Sequence, residues 1–263
     1  MAGPPPPTPR RVVLLCTDCD ASRIVYHHLR QHFPDVAVVV EDPVARAQVL
    51  RRRLRRLGAW TVLGQALFLT LVVPVLRRTG QARIAEIKRR FSLDDGPFGP
   101  VHRIRSVNDA DARAVVDGLG PAVIVVCGTR IISADTLGSF HAPVVNYHAG
   151  ITPAYRGVHG GYWALVEGRP DLAGSTVHVV DEGIDTGGIL AQRTIEVTPR
   201  DSFATYPYLH VAAALPALAS VVQLAASGEP LVVREEGSDL PSKLRSHPTI
   251  WAWARHAVRD GVR

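Results

Sequence analysis

Only three cysteines, Cys16, Cys19 and Cys127, occur in 263 residues. That is too few for a disulfide framework and fits a reducing compartment. Cys16-Thr17-Asp18-Cys19 lacks a second CxxC pair and a neighbouring histidine, so it does not read as a zinc site, and no metal is expected. Cys16 and Cys127 each end an apolar run, where cysteine acts as a small buried hydrophobe. There is no apolar N-terminal stretch of the kind a secretory signal needs. Met1 to Pro7 is proline-rich, and residues 1–10 read as a disordered tail. A cytoplasmic location is the expectation.

Acidic residues are outnumbered, 24 against 30 Lys and Arg, and the formal charge is +6. The surplus is clustered in arginines such as Arg51-Arg52-Arg53, Arg55-Arg56 and Arg77-Arg78. Such a field draws an acidic ligand, whether a polyglutamylated cofactor, a nucleotide or RNA, and it serves solubility equally well. With 46% hydrophobic and 21% charged residues, the chain can bury a full core. The reading is one α/β domain over 11–200 and a helix-strand-helix extension over 201–263.

Strands are expected at Val12–Cys16, Val36–Val40, Val101–Ile104, Val123–Cys127, Pro143–Tyr147 and Ser175–Val180, with Ile189–Val197 continuing the β region. A helix follows the first strand to about Gln31, and Asn108 is placed to cap another over Asp109–Leu119. β-Branched runs alternating with helices imply a mostly parallel sheet covered on both faces. A long helix over Ser202–Ser227 contains Pro207 and Pro216, which should break or kink it. A strand at Leu231–Arg234 and a helix at Thr249–Val258 complete the extension.

Residues 57–76 carry no charge and are flanked by arginines, inside a helical insertion near 46–92. Length alone qualifies them as a membrane span. Gly58, Gly64, Gln65 and Pro74 weaken that reading, and strands of one sheet on either side contradict it. A packed or dimer-forming helical insertion is favoured, and contact with a membrane surface is the lesser alternative.

Polar residues with chemistry gather in two places. Asn146-Tyr147-His148 closes a strand, and side chains two apart on a strand share a face. Asp185 lies in the turn Asp181-Glu182-Gly183-Ile184-Asp185-Thr186-Gly187-Gly188. An amide, an imidazole and a carboxylate in one pocket can manage the oxyanion and protons of an acyl transfer. Taken singly, each has a plainer reading: a satisfied Asn-x-His pair, or an Asp that merely forms its turn. His178 reads as a core or supporting histidine. Arg156 either binds an anion or pins its loop.

Asn146-x-His148, Pro153-x-Tyr155-Arg156-Gly157 and Ile184-Asp185-Thr186-Gly187 together resemble the signature of the folate-dependent formyltransferases. The resemblance runs from about Val123 to Val197. It implies a Rossmann-like formyltransferase fold, 10-formyltetrahydrofolate as donor and an amine as acceptor. Asn146, His148 and Asp185 match the family's catalytic residues; Asp185 is preferred to Asp181 because it directly precedes the Thr-Gly-Gly part of the turn. Arg130, Ile131 and Ile132, with Val180, Asp181, Glu182 and Ile184, match segments whose backbone lines the folate pocket.

Departures narrow the acceptor. Ala149-Gly150 and Thr152 replace the family's usual residues after the histidine. Asp18 and Asp20 stand where glycinamide ribonucleotide enzymes hold phosphate, which disfavours that substrate. About 60 residues follow Arg200, so the β-barrel of the tRNA enzymes is not expected, nor is nucleic acid as a partner. A small-molecule amine is therefore the expected acceptor: an amino sugar, an amino acid derivative or a specialised metabolite. The alternatives are a formyl-folate hydrolase and a non-catalytic, membrane-associated binding protein of the same fold.

Overall fold

A computed structural model describes residues 10–234 and 241–263. The N-terminal tail expected over 1–10 lies outside the described residues, save Arg10. In chain order the elements are β1 (Val12–Cys16), α1 (Asp20–His32), β2 (Val36–Glu41), α2 (Arg46–Leu57), α3 (Ala59–Leu67), a π-helical turn (Phe68–Val72), α4 (Val73–Thr79) and α5 (Gln81–Arg90). Next come β3 (Val101–Ile104), α6 (Ala110–Leu119), β4 (Val123–Cys127), α7 (Ala134–Ser139), β5 (Val144–His148), β6 (Tyr155–Gly157) and α8 (Gly160–Val166). A 3₁₀ turn (Pro170–Leu172), β7 (Gly174–Val179), β8 (Ile189–Thr194), α9 (Tyr206–Ser227), β9 (Lys243–Arg245) and α10 (Ile250–Arg259) complete the chain.

Seven strands form one sheet in the order β3-β2-β1-β4-β5-β7-β8. The first five are parallel, and β7 and β8 pair antiparallel. This is the Rossmann-like, mostly parallel fold with helices on both faces. Every residue of β1 and β4 is buried. Val12, Leu14 and Cys16 face a core shared with α1 and α9, and Val13 and Leu15 face one shared with α6. Two covered faces demand uninterrupted apolar runs, which is why these strands do not alternate.

Several local expectations give way. Asp109, not Asn108, starts α6, and the Asn108 amide instead ties a distant loop, with Nδ2 donating to Ile131 O and Oδ1 accepting from Ser133 N. Pro207 does not break α9; it sits in the first turn, where no N–H is required. Pro216 lies inside a helix that runs on past it. Thirteen buried α9 residues packed on the sheet outweigh the missing hydrogen bond. Leu231–Arg234 is not a strand, since only Arg234 bridges to Ile189. The extension's strand is β9, pairing with β6 in a two-stranded sheet.

The insertion is packed along one side and exposed along the other. It lies on the body by one side, through Phe68 against Phe203 and Trp253, and Gln65 donating to His247 O at 2.7 Å. Arg83 on α5 anchors its end with a two-pronged pair to Asp201 at 2.8 and 3.0 Å. Asp201 also holds Thr198 and Thr205 in the turn leading to α9.

Candidate active site

β5 ends at the carboxyl edge of the sheet beside β4, where open α/β sheets form their binding crevice. Asn146 and His148 are two apart and share its face, while the other face carries Tyr147 into the core. His148 Nε2 lies 2.8 Å from Tyr155 O, and a carbonyl only accepts, so that nitrogen carries the proton. Nδ1 is left for the cavity, 3.4 Å from Asp185 Oδ2. Burial pulls His148 below the ordinary imidazole range, against the opposing pull of the Asp185 carboxylate.

Asp185 reaches this position from a strained turn. Its φ is +52°, a conformation Asp tolerates better than most side chains. Asp181 builds the turn by accepting from Gly183 N and Thr186 Oγ1. Asp181 is therefore the turn former and Asp185 the carboxylate that faces the histidine. Burial pushes Asp185 up, yet it sits below the usual carboxylate range: His178 and His148 favour its anion whenever their facing nitrogens carry a proton, and the Gly157 amide donates to it throughout. Gly157 N donates to Oδ2 at 2.8 Å. Gly157 has φ +90°, and a Cβ there would run into Arg245 O, so only glycine serves.

His178 joins the group as the partner that the sequence left in a supporting role. The antiparallel register sets it opposite Asn146. Its Nδ1 donates to Val179 O at 2.8 Å, so Nε2 accepts from Asn146 Nδ2 at 3.1 Å. That fixes the amide and leaves its second N–H available. His178 Nε2 also lies 3.7 Å from Asp185 Oδ1. His178 and Asp185 are visibly only seven positions apart in the chain, but the pairing of β7 with β5 is not visible there.

Asn146, His148, His178 and Asp185 line one cavity of about 410 Å³. Of the seven residues expected to form folate walls, Arg130, Ile131, Ile132, Val180, Asp181 and Ile184 line it. Glu182 does not; the Asp181 hydrogen bonds fold the turn so that its crest is exposed. Arg130 offers stem and backbone, since its guanidinium is held by Glu41 and by the carbonyls of Asp42 and Arg105. Glu41, which no motif in the chain singles out, is buried and also accepts from Val107 N and Arg130 N, tying two loops to β2. Arg156 pins the turn by donating to Ile184 O at 3.1 Å.

Two recesses adjoin. One, about 390 Å³, shares Gly157, Val158 and Ile184 with the cavity and is bordered by Arg52, Arg53 and Arg56 of α2. The other, about 210 Å³, shares Gly128 and Tyr147 and is walled by Tyr162, Phe203, Tyr206, His159 and His210. Burial drives His159 and His210 down to about 3, so both are neutral. Burial pushes the Cys16 thiol up, and Cys127 to about 12, which leaves them as packing residues.

Among curated proteins, methionyl-tRNA formyltransferase of Pelotomaculum thermopropionicum is 32% identical over 163 residues, covering 60% of this chain and 51% of that protein. The trifunctional purine biosynthetic protein adenosine-3 of Drosophila melanogaster is 35% identical over 178 residues, covering 61% of this chain and 13% of that protein. The chain spans about half the length of the methionyl-tRNA formyltransferases it matches. A likely sugar N-formyltransferase from Mycobacterium tuberculosis shares the fold with a TM-score of 0.55 at 15% identity, over 89% of this chain and 75% of that one. Phosphoribosylglycinamide formyltransferase from Anaplasma phagocytophilum does so with a TM-score of 0.54 at 15% identity, over 84% and 89%. The formyl transferase family model matches residues 72–212, more than half of the sequence, and spans Asn146, His148 and Asp185. The chain belongs to the formyl transferase family.

Proposed function

We propose that the chain transfers the formyl group of 10-formyltetrahydrofolate to the amine of a small molecule, such as an amino sugar or an amino acid derivative. The observation that carries this reading is the meeting of Asn146, His148 and Asp185 on the wall of one cavity. Apolar Val126, Ile132 and Val180, with the backbone of 128–132 and 180–185, suit a flat heterocycle. The arginine-bordered recess suits the donor's acidic tail.

In the reaction the amine nitrogen bonds to the formyl carbon and the bond from that carbon to folate N10 breaks. One proton must pass from the amine to N10. Asn146 donates its free N–H to the developing oxyanion. His148 Nδ1, unprotonated at rest, takes the amine proton and returns it to N10. Asp185 stabilises the imidazolium formed in between, and His178 holds the Asn146 amide in its donating orientation.

The acceptor is assigned to the aromatic recess. Among the described residues no Lys or Arg side chain lies on its wall, which favours an uncharged, partly apolar amine over a phosphate. Asp18 and Asp20 at the start of α1 push in the same direction. Because the curated relatives include methionyl-tRNA formyltransferases, aminoacyl-tRNA belongs in the test. The purified chain is titrated calorimetrically with a stable formyl-folate analogue. It is then incubated with donor and a panel of amino sugars, amino acids and aminoacyl-tRNA, with N-formyl products read by mass spectrometry. Failure to bind any reduced folate removes the donor. Donor turnover that is indifferent to added amine reassigns the site to hydrolysis, and a product on tRNA alone removes the small-molecule acceptor.

A further inference from the structure

The insertion carries a surface that the proposed chemistry leaves unused. Along Ala59–Thr79, Val62, Gln65 and Phe68 face inward, while Trp60, Leu63, Leu71 and Val75 are 70%, 47%, 57% and 58% exposed. Successive members, with half-buried Leu67 among them, are three or four residues apart and so form one stripe. On α2, Gln48, Arg52, Arg53 and Arg56 border the recess. Further round the same helix, exposed Leu50 and Leu54 stand beside Arg51 and Arg55. Only 22% of the most apolar window of Ala59–Thr79 is buried, against 67% for the similarly apolar α9. The second is a core helix; the first is covered along one side only, with Trp60 also stacked on Trp251.

We propose that this face docks on an anionic phospholipid bilayer. The helices lie in the plane of the interface, with Trp60, Leu63, Leu71 and Val75 at the acyl boundary and Arg51, Arg55, Arg77 and Arg78 among headgroup phosphates. Charge selects this occupant. No acidic residue occurs between 46 and 80, and among the described residues none of these four arginines pairs with a carboxylate. A second copy seated on the stripe about a two-fold axis would set one arginine end against the other, with no carboxylate in the segment to separate them. An anionic surface pairs with both ends at once. A crossing helix is excluded, because the segment leaves β2 and returns to β3, and these two strands pair in parallel.

The test is co-sedimentation of the full chain with phosphatidylcholine vesicles and with vesicles that also contain phosphatidylglycerol. Binding is expected to the anionic vesicles only, weakened in about 0.5 M salt. R77Q/R78Q should weaken it about fivefold per arginine removed. L63S/L71S should weaken it roughly tenfold or more. All four side chains are exposed or lie away from the cavity, so thermal melts and formyl-folate turnover of both variants should match the parent. A chain that stays in the supernatant with every vesicle overturns the proposal, as does binding that neither double variant alters. A dimer in analytical ultracentrifugation that L63S/L71S dissociates would give the stripe to a second copy and overturn it equally.

Discussion

Replacing Asp185 by Asn isolates the electrostatic part of the site, because an amide oxygen can still accept from Gly157 N while the charge is lost. In the parent, burial lowers the His148 pKa and the carboxylate 3.4 Å from Nδ1 opposes it. At an effective dielectric of about 20, a unit charge pair at that distance is worth at most about 5 kcal/mol. Opposite charges this close ordinarily move a pKa by about one to three units, or about 1.4–4 kcal/mol. Protonating His148 during amine attack should become harder by that amount, so kcat should fall roughly 10- to 1000-fold. The sign of the pH effect follows. His148 acts from its neutral form, so the acidic limb of kcat reports its protonation. Without Asp185 the ring's pKa drops further, and the limb moves to lower pH by about one to three units. The assay is kcat at saturating amine across pH, with circular dichroism to confirm an intact fold. A variant with the parent's rate, or one that is slow but has an unshifted acidic limb, would refute the proposed role of the pair.

Other outcomes follow from the same geometry. Asn146→Ala removes the oxyanion donor and should lower turnover about 10²–10³-fold with little change in folate binding, read by single-turnover kinetics and calorimetry. Gly157→Ala forces a side chain into a left-handed backbone facing Arg245 O, and should cost on the order of 1–3 kcal/mol in urea unfolding while also displacing Asp185. Arg83→Leu leaves Asp201 buried without its cation and should cost about 3–5 kcal/mol, seen as a lowered denaturation midpoint. His159 and His210 titrate near 3 when folded and near the ordinary imidazole value when unfolded. The unfolded chain therefore binds more protons in between, and stability is lost as pH falls below about 6.5. The slope should approach about 2–3 kcal/mol per unit for the pair, and a stability that stays flat from pH 6.5 to 5 would contradict their buried, neutral state.

What could be read from the chain alone depended on how local the cause was. β1 and β4 were legible because burial on both faces leaves an unbroken apolar run. Asn146 and His148 were legible as one face because strand geometry alone decides it. Their convergence with Asp185 depended on the family resemblance, since the turn, the amide of Gly157 and the β6–β9 pair come from different parts of the sequence. The three-residue strands β6 and β9 are too short to leave a pattern, and His178 gained its place only through antiparallel pairing with β5. Asn108 as a cap and Pro216 as a helix breaker fail for the converse reason, because a distant loop and long-range packing override their local preferences. The same limit applies to the two most apolar helices. Residues 59–79 and 206–227 have comparable hydropathy, 1.9 and 1.7, yet one lies largely uncovered and the other forms the core. What separates them in the sequence is the flanking charge: arginines without a single carboxylate border the first, whereas α9 has no basic residue in its last turn. A helix destined for the core needs only apolar neighbours. One flanked by arginines that pair with no carboxylate among the described residues suits the anionic surface proposed for it.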